Sequence, residues 1–431
     1  MSVTYPDHVE IIPPGRPVLG TVRLPGSKSI TNRALLLAGL ADGQSTLDGA
    51  LFSDDTHYLS ESLRRLGCHV IEDAPAERFI VDGAGGPFPV DGAELFIGNA
   101  GTAARFLVGV LPLGHGRFRL DGSARMRQRP IGPLVDGLRQ LGATISTEFD
   151  NDCPPVLVEA HGLAGGPVTM AGNRSSQYFS ALMMAAPLTE HGIDLTVEGT
   201  LVSRPFIDLT LAVMAAFGVR GEHEHYEVIR IPGGQHYRAG HYQVEPDATA
   251  ASYFFAAAAI TGGSVRVEGV GGGSAQGDLG FVDVLERMGC RVDRQQNSLT
   301  VHGPERLSGI DVSFEEISDT ALTMAAIAPF ADGPVRVRGI AHTRAQETDR
   351  IAAMAAELTK LGVPVEEHPD GWTIYPAQPR PGAVDTYDDH RIAMSFAVLG
   401  LRAPGVVIRD PGCVAKTFPD FFERFGRLVG G

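Results

Sequence analysis

The chain predicts an α/β fold of six repeated units, grouped as two domains of three. Three observations carry this. An apolar residue followed by Gly closes a helix-like stretch six times, at Leu66-Gly67, Leu141-Gly142, Phe217-Gly218, Met288-Gly289, Leu361-Gly362 and Phe425-Gly426, spaced 64 to 76 residues apart. Each unit holds one nearly uncharged small-residue helix and one amphipathic helix. The length of 431 residues exceeds what one hydrophobic core usually supports.

The first helix of each unit is expected at 33–40, 102–111, 177–186, 250–260, 320–328 and 391–399, rich in Ala, Leu and Met and therefore buried nearly all round. The second helices, such as 56–66 and 348–361, are amphipathic and belong nearer the surface. The Gly after each second helix supplies a left-handed cap, and the β-branched runs that follow, such as Cys68–Ile71 and Cys290–Val292, read as strands. A linker-like stretch, Gly233–Gly240, separates the third and fourth units, placing the domain boundary near residue 245.

Composition narrows the function classes. Hydrophobic residues at 43% and charged residues at 20% describe an ordinary globular chain. A formal net charge of −15 argues against a general nucleic-acid or membrane-surface binder, so any anionic ligand needs a local cluster of cations. Cys68, Cys153, Cys290 and Cys413 are far apart, which fits reduced thiols in a cytoplasmic protein. No signal peptide and no membrane span is expected. His223, His225, His236 and His241 lie on a polar hairpin without recognised metal-ligand spacing, so neither metal nor cofactor is expected.

The polar loops of the repeats are not filled with arbitrary turn residues. Leu24–Arg33 reads LPGSKSITNR and runs into an apolar helix, with Ser27 or Ser29 able to cap it and Lys28 and Arg33 beside its N-terminus. The spacing of a Walker A loop is absent. Equivalent loops carry Asn99–Thr102, Ala124–Gly132, Ser175–Gln177, Ser203–Pro205, Asp319, Gln346–Arg350, Asp388–Arg391 and Lys416–Phe418. Taken singly, Asp319 and Asp389 read as ordinary N-caps, Glu347 as a first-turn acid and Arg125–Arg129 as a solvated face. Their recurrence in register points to loops converging on a binding site.

The motifs LPGSKSITNRALLLAGL (24–40), GNAGTAAR (98–105), RMRQRPIG (125–132), SSQY (175–178), PDATAASYF (246–254), QETDR (346–350), DDHRIAMSF (388–396) and AKTFPDFF (415–422) resemble the 5-enolpyruvylshikimate-3-phosphate synthases of the enolpyruvyl transferase family, over essentially the whole chain. The resemblance implies two globular domains, each of three βαβαββ units, with the active site in the interdomain cleft. It places residues 26–244 in an N-terminal, shikimate 3-phosphate side and residues 1–25 with 245–431 in a C-terminal, phosphoenolpyruvate side. The implied reaction moves the enolpyruvyl group of phosphoenolpyruvate to the 5-hydroxyl of shikimate 3-phosphate and releases phosphate. By the same resemblance Asp319 is the proton acceptor and Glu347 the proton donor, with Lys28 at the centre. Lys28, Ser29, Arg33, Ser175, Ser176, Gln177, Ser203, Asp319 and Gln346 are implied shikimate 3-phosphate contacts. Lys28, Gly101, Arg125, Gln177, Arg350, Arg391 and Lys416 are implied phosphoenolpyruvate contacts.

Charge supports that carry-over: the two substrates bring about five to six negative charges, and Lys28, Arg33, Arg125, Arg350, Arg391 and Lys416 are six cations drawn from both domains. Ligand-driven domain closure and a monomeric enzyme acting on two small molecules are expected. The chain departs from the family's pattern at Gln346, where Lys is common, at His342 in place of Asn, and at Phe106 in place of Pro. Three rival readings fit the chain less well. A UDP-N-acetylglucosamine enolpyruvyl transferase commonly carries a loop cysteine where Arg125 stands. An RNA 3′-phosphate cyclase conflicts with the acidic charge. A catalytically silent paralogue conflicts with the presence of Asp319, Glu347 and Lys28.

Overall fold

The structure, a computed structural model, describes residues 5–430. The chain forms two compact units, one of Gly26–Glu245 and one of the residues up to Pro25 together with those from Pro246 onward. Twelve α-helices lie among the described residues: α1 (Lys28–Leu40), α2 (Asp54–Arg65), α3 (Gly101–Val110), α4 (Gly132–Gln140), α5 (Ser176–Ala185), α6 (Pro205–Ala216), α7 (Ala248–Thr261), α8 (Phe281–Arg287), α9 (Ala321–Ile327), α10 (Arg350–Lys360), α11 (His390–Gly400) and α12 (Phe421–Gly430).

Each repeat closes around one small sheet, and five of the six follow a βαβαββ order. In the second repeat Gly92–Phe96 runs parallel to His115–Asp121, which pairs antiparallel with Val156–His161, itself antiparallel to Thr144–Thr147. Five sheets share this order of four strands, and the sixth has three. The first strands of two repeats come from distant sequence. Leu19–Arg23, which leads into α1, pairs in parallel with Ser264–Glu268, whereas His241–Gln243, which leads into α7, pairs in parallel with Asp42–Asp48. Within each unit a backbone bond secures the point where the chain leaves: Ser27 N donates to Glu245 O, and Asp247 N to Pro25 O.

The low-charge helices form the cores, because a helix without a polar face finds no stable position at a surface. Every residue of α3 and of α11 is buried. In one unit α3 packs on α5 and α1; in the other α7, α9 and α11 pack together. Five helix-ending glycines, Gly67, Gly142, Gly218, Gly289 and Gly362, have φ between 80° and 102°, the left-handed region that L-residues avoid. The sixth expected terminus differs: α12 runs through Gly426 to Gly430, since its Phe421 and Phe425 stack on each other and dock against Phe254.

Gly233–Gly240 is not a linker. Tyr237 is buried and donates its hydroxyl to Met184 O, so the stretch packs on its own unit. The histidines of that region diverge: His223 faces Asp208 and His241 faces Asp48. Among the described residues all four cysteines are free thiols, and no helix is long and apolar enough to cross a membrane.

Candidate active site

Two clusters of functional side chains stand at helix N-termini, one in each unit. In the unit containing α7–α12, Arg350 is the first residue of α10 and is 1% exposed. Its Nε and Nη2 donate to the two carboxylate oxygens of Asp389 at 2.8 and 3.3 Å. Nη2 also meets Glu347 Oε2 at 2.9 Å and Nη1 meets Asp319 Oδ1 at 3.3 Å. Gln346 Oε1 accepts a further bond from Nη1. The second oxygen of Asp319 takes Arg391 Nη2 at 2.8 Å, and the second oxygen of Glu347 takes Lys416 Nζ at 2.8 Å.

Each of the two key carboxylates is therefore bridged between the shared Arg350 and a cation of its own. Three cations, Arg350, Arg391 and Lys416, face three carboxylates, Asp319, Glu347 and Asp389. Burial opposes the charge of Arg350 and Arg391, but the surrounding carboxylates more than offset it and hold both guanidinium groups well above their ordinary range.

Local structure explains the placement and revises two expectations. Asp389 is a true N-cap, accepting from Arg391 N at 2.9 Å at the head of α11. Asp319 is not: it lies in a 3₁₀ turn (Ser318–Thr320) ahead of α9, so its carboxylate is left for the arginines. Glu347 is not in the first turn of α10, which Asp349 caps, and its side chain goes to Arg350 and Lys416 instead. His342 Nε2 contacts Ser318 Oγ at 3.0 Å beside Asp319, and burial, aided by Arg350 and resisted by Asp319, lowers its pKa to about 4. It is a neutral imidazole at neutral pH.

In the other unit Lys28 opens α1, with Ser27 at the N-cap position but no cap bond from its side chain. Lys28 Nζ lies 3.6 Å from Asp55 Oδ2, a carboxylate whose side chain is 3% exposed. A Cβ on Gly26 would fall 2.0 Å from Gly49 O, so only glycine permits this turn into the helix. Gly101 opens α3 in similarly tight surroundings, its missing Cβ 2.5 Å from Arg129 Nη2 and 2.8 Å from Arg105 Nη1. Arg129 Nη1 bonds both Asn99 oxygens, Arg105 Nη2 bonds Pro130 O, and Arg127 grips Asp121 with two bonds.

Two loops 30 positions apart are thus tied together, and Arg125–Arg129 is not simply a solvated face. Arg125, half-buried, reaches Gln128 Oε1. Ser175 caps α5 by accepting from Gln177 N, Gln177 Nε2 approaches Thr102 Oγ1 at 3.4 Å, and Ser176 is buried next to them. Ser203 is held at φ 53°, a left-handed conformation costly for a non-glycine residue.

Arg33 points inward. Its guanidinium lies over the rings of Phe106 and Phe206, at 5.1 and 5.7 Å from their centroids. It donates to Thr210 Oγ1, Ser180 Oγ, Phe206 O and Ser29 O. With no carboxylate partner among the described residues, burial pulls its pKa down to about 9.

Comparison with known proteins decides the family. The family model described as EPSP synthase (3-phosphoshikimate 1-carboxyvinyltransferase) matches residues 12–425. The chain belongs to the EPSP synthase family. It is 48% identical over 424 residues to a 3-phosphoshikimate 1-carboxyvinyltransferase of Trichormus variabilis, spanning 98% of this chain and 100% of that one. It is 46% identical to the chloroplastic enzyme of Solanum lycopersicum, over 96% of this chain and 84% of that one. Among solved structures, the EPSP synthase of Acinetobacter baumannii superimposes with a TM-score of 0.82 at 27% identity, covering 97% of each chain.

Two residues of the clusters escaped the sequence reading. Asp55 lies in a Ser53–Thr56 capping box that reads as local structure only, and Asp389 reads as a cap although it also grips Arg350.

Proposed function

We propose that this EPSP synthase transfers the enolpyruvyl group of phosphoenolpyruvate to the 5-hydroxyl of shikimate 3-phosphate, with Asp319 taking the hydroxyl proton and Glu347 protonating the methylene carbon. The observation that carries this is the pair of carboxylates sharing Arg350, each with a second cation, Arg391 or Lys416. Asp319, bonded to Arg350 and Arg391, accepts the proton as the hydroxyl oxygen attacks C2 of phosphoenolpyruvate. Glu347 starts between two cations. An arriving phosphate or carboxylate competes for Arg350 and Lys416, which raises the proton affinity of Glu347 and equips it to donate to C3. Loss of a proton from the resulting methyl group and departure of phosphate from C2 then give the enol ether.

Lys28, Gly101, Arg125, Gln177, Arg350, Arg391 and Lys416 are assigned to phosphoenolpyruvate. Lys28, Ser29, Arg33, Ser175, Ser176, Gln177, Ser203, Asp319 and Gln346 are assigned to shikimate 3-phosphate. For Arg33 the assignment requires its guanidinium to exchange an internal acceptor for the ligand, since its bonds now go to Ser29, Ser180, Phe206 and Thr210. A monomeric enzyme in the cytoplasm is part of this reading, and the four free thiols support the reducing compartment.

The test is phosphate release from phosphoenolpyruvate, with and without shikimate 3-phosphate, in wild type, Asp319→Asn and Glu347→Gln. Release that needs both substrates, with kcat reduced roughly 10²- to 10⁴-fold in each variant, is the expected result. Binding of shikimate 3-phosphate without release in the wild type would refute the assignment.

A further inference from the structure

Asp278 is a buried carboxyl for which the proposed reaction has so far no use. It sits in the 3₁₀ turn Gly277–Gly280, is 6% exposed, and follows Gln276, whose side chain is locked to Ala248 N and Pro246 O. Its one hydrogen-bonding side-chain partner among the described residues is the Thr249 hydroxyl in the first turn of α7. The Gly277–Gly280 turn and the Ser318–Thr320 turn that carries Asp319 both pack on α7 and on each other. The two acid-bearing turns are thereby in contact, and Arg391, bonded to Asp319, acts electrostatically on both carboxyls.

A buried carboxylate satisfied by a single hydroxyl is costly, so Asp278 favours its neutral form. Its pKa is pushed up to about 7, first by burial and then by the charge of Asp319. The Thr249 hydrogen bond and Arg391 pull it down, and Asp247 at the head of α7 pushes it up. On α8, which follows directly, Asp283 and Glu286 turn to Arg294, and Arg287 reaches the Asp311 carbonyl.

We propose that Asp278, in the turn packed against the one that carries Asp319, is a positioning residue for Asp319 and, by gaining or losing its own proton, sets how strongly Asp319 pulls on the substrate hydroxyl. The inference rests on Asp319 being the proton acceptor. Below about neutral pH Asp278 is uncharged, Arg391 serves Asp319 alone, and Asp319 is the weaker base. Above it, Asp278 releases its proton to solvent, competes for Arg391, and its negative charge makes Asp319 the stronger base. The rate therefore rises with pH through the titration of Asp278.

The experiment is the pH dependence of kcat in wild type, Asp278→Asn, Thr249→Val and Thr249→Ser, joined to a substrate-free infrared pH titration of the same proteins. In wild type, kcat carries a limb near pH 7. Asp278→Asn, fixed in the neutral form, loses that limb, so kcat at about pH 8 falls roughly threefold to tenfold with KM within about twofold. Thr249→Val removes a bond to the charged form and moves the limb to higher pH, whereas Thr249→Ser restores it; a merely structural role would move neither.

The infrared spectrum of wild type shows a protonated carboxyl band that persists toward neutral pH and is missing in Asp278→Asn. Superimposable pH profiles for wild type and Asp278→Asn, or a wild type without that band, would overturn the proposal. A wild type with the band but no phosphate release would instead overturn the assigned reaction, and with it the role of Asp278 in it.

Discussion

Asp389 is the side chain on which the cation cluster depends most, and its removal separates two contributions. The residue is 0% exposed, caps α11 through its bond from Arg391 N, and holds Arg350 with two further bonds. Asn is as good an N-cap as Asp, so Asp389→Asn removes the ion pair and keeps the cap. Breaking a buried pair by removing one partner costs about 3–5 kcal/mol. Arg350 keeps Glu347 and Asp319, which places the loss near the lower end, about 3 kcal/mol. Asp389→Ala loses the cap as well, about 1 kcal/mol more.

The assay is urea unfolding followed through Trp372, the single tryptophan of the chain. It is fully buried and donates to Ile351 O in the first turn of α10, so its fluorescence reports on this unit. With a slope of about 2–3 kcal/mol per molar urea, the Asn variant should unfold about 1–1.5 M earlier, and the Ala variant earlier again. If both variants stay within about 1 kcal/mol of wild type, Arg350 does not depend on Asp389 and the reasoning fails.

Gly101→Ala places a methyl group 2.5 Å from Arg129 Nη2, so the guanidinium must leave Asn99; the expected outcome is a KM for phosphoenolpyruvate raised about tenfold or more with the fold intact, read from initial rates and circular dichroism. His342 has a folded pKa of about 4 against an ordinary value of 6.5, so the unfolded chain binds its proton first and stability is lost as pH falls through that window. His342→Gln should remove on the order of 2–3 kcal/mol of that pH-dependent loss, seen as a flatter urea midpoint between pH 6.5 and 4. Gln346→Lys replaces the acceptor on Arg350 Nη1 with a second cation, which should cost about 1 kcal/mol in the unliganded protein while lowering the KM for shikimate 3-phosphate.

The repeat was legible because its markers are local. A helix that must stop needs a left-handed residue, so glycine after an apolar residue recurs at Gly67, Gly142, Gly218, Gly289 and Gly362 whatever surrounds it. Where the marker failed, at Gly426, the aromatic packing of Phe421 and Phe425 on Phe254 carried the helix onward, a long-range contact with no local sign. The Gly-rich stretch 233–240 misled for the same reason: composition reads as a linker, but one buried tyrosine, Tyr237, binds it to its unit.

By itself, then, the sequence determined the six-unit α/β architecture, the helices that are buried and the loops that carry charge, all of which follow from short-range periodicity and composition. Only the tertiary structure decided how the charges are matched. Arg391 meets Asp319 across 72 positions, Lys416 meets Glu347 across 69, and Arg350 meets Asp389 across 39. It also turned Arg33 toward the rings of Phe106 and Phe206, set Asp55 against Lys28, and packed the turn of Asp278 against that of the residue assigned as the base. The physical reason is that a side chain's direction and its partner are set by which helices pack together. That choice is made by burial over the whole unit, and no stretch of sequence contains it.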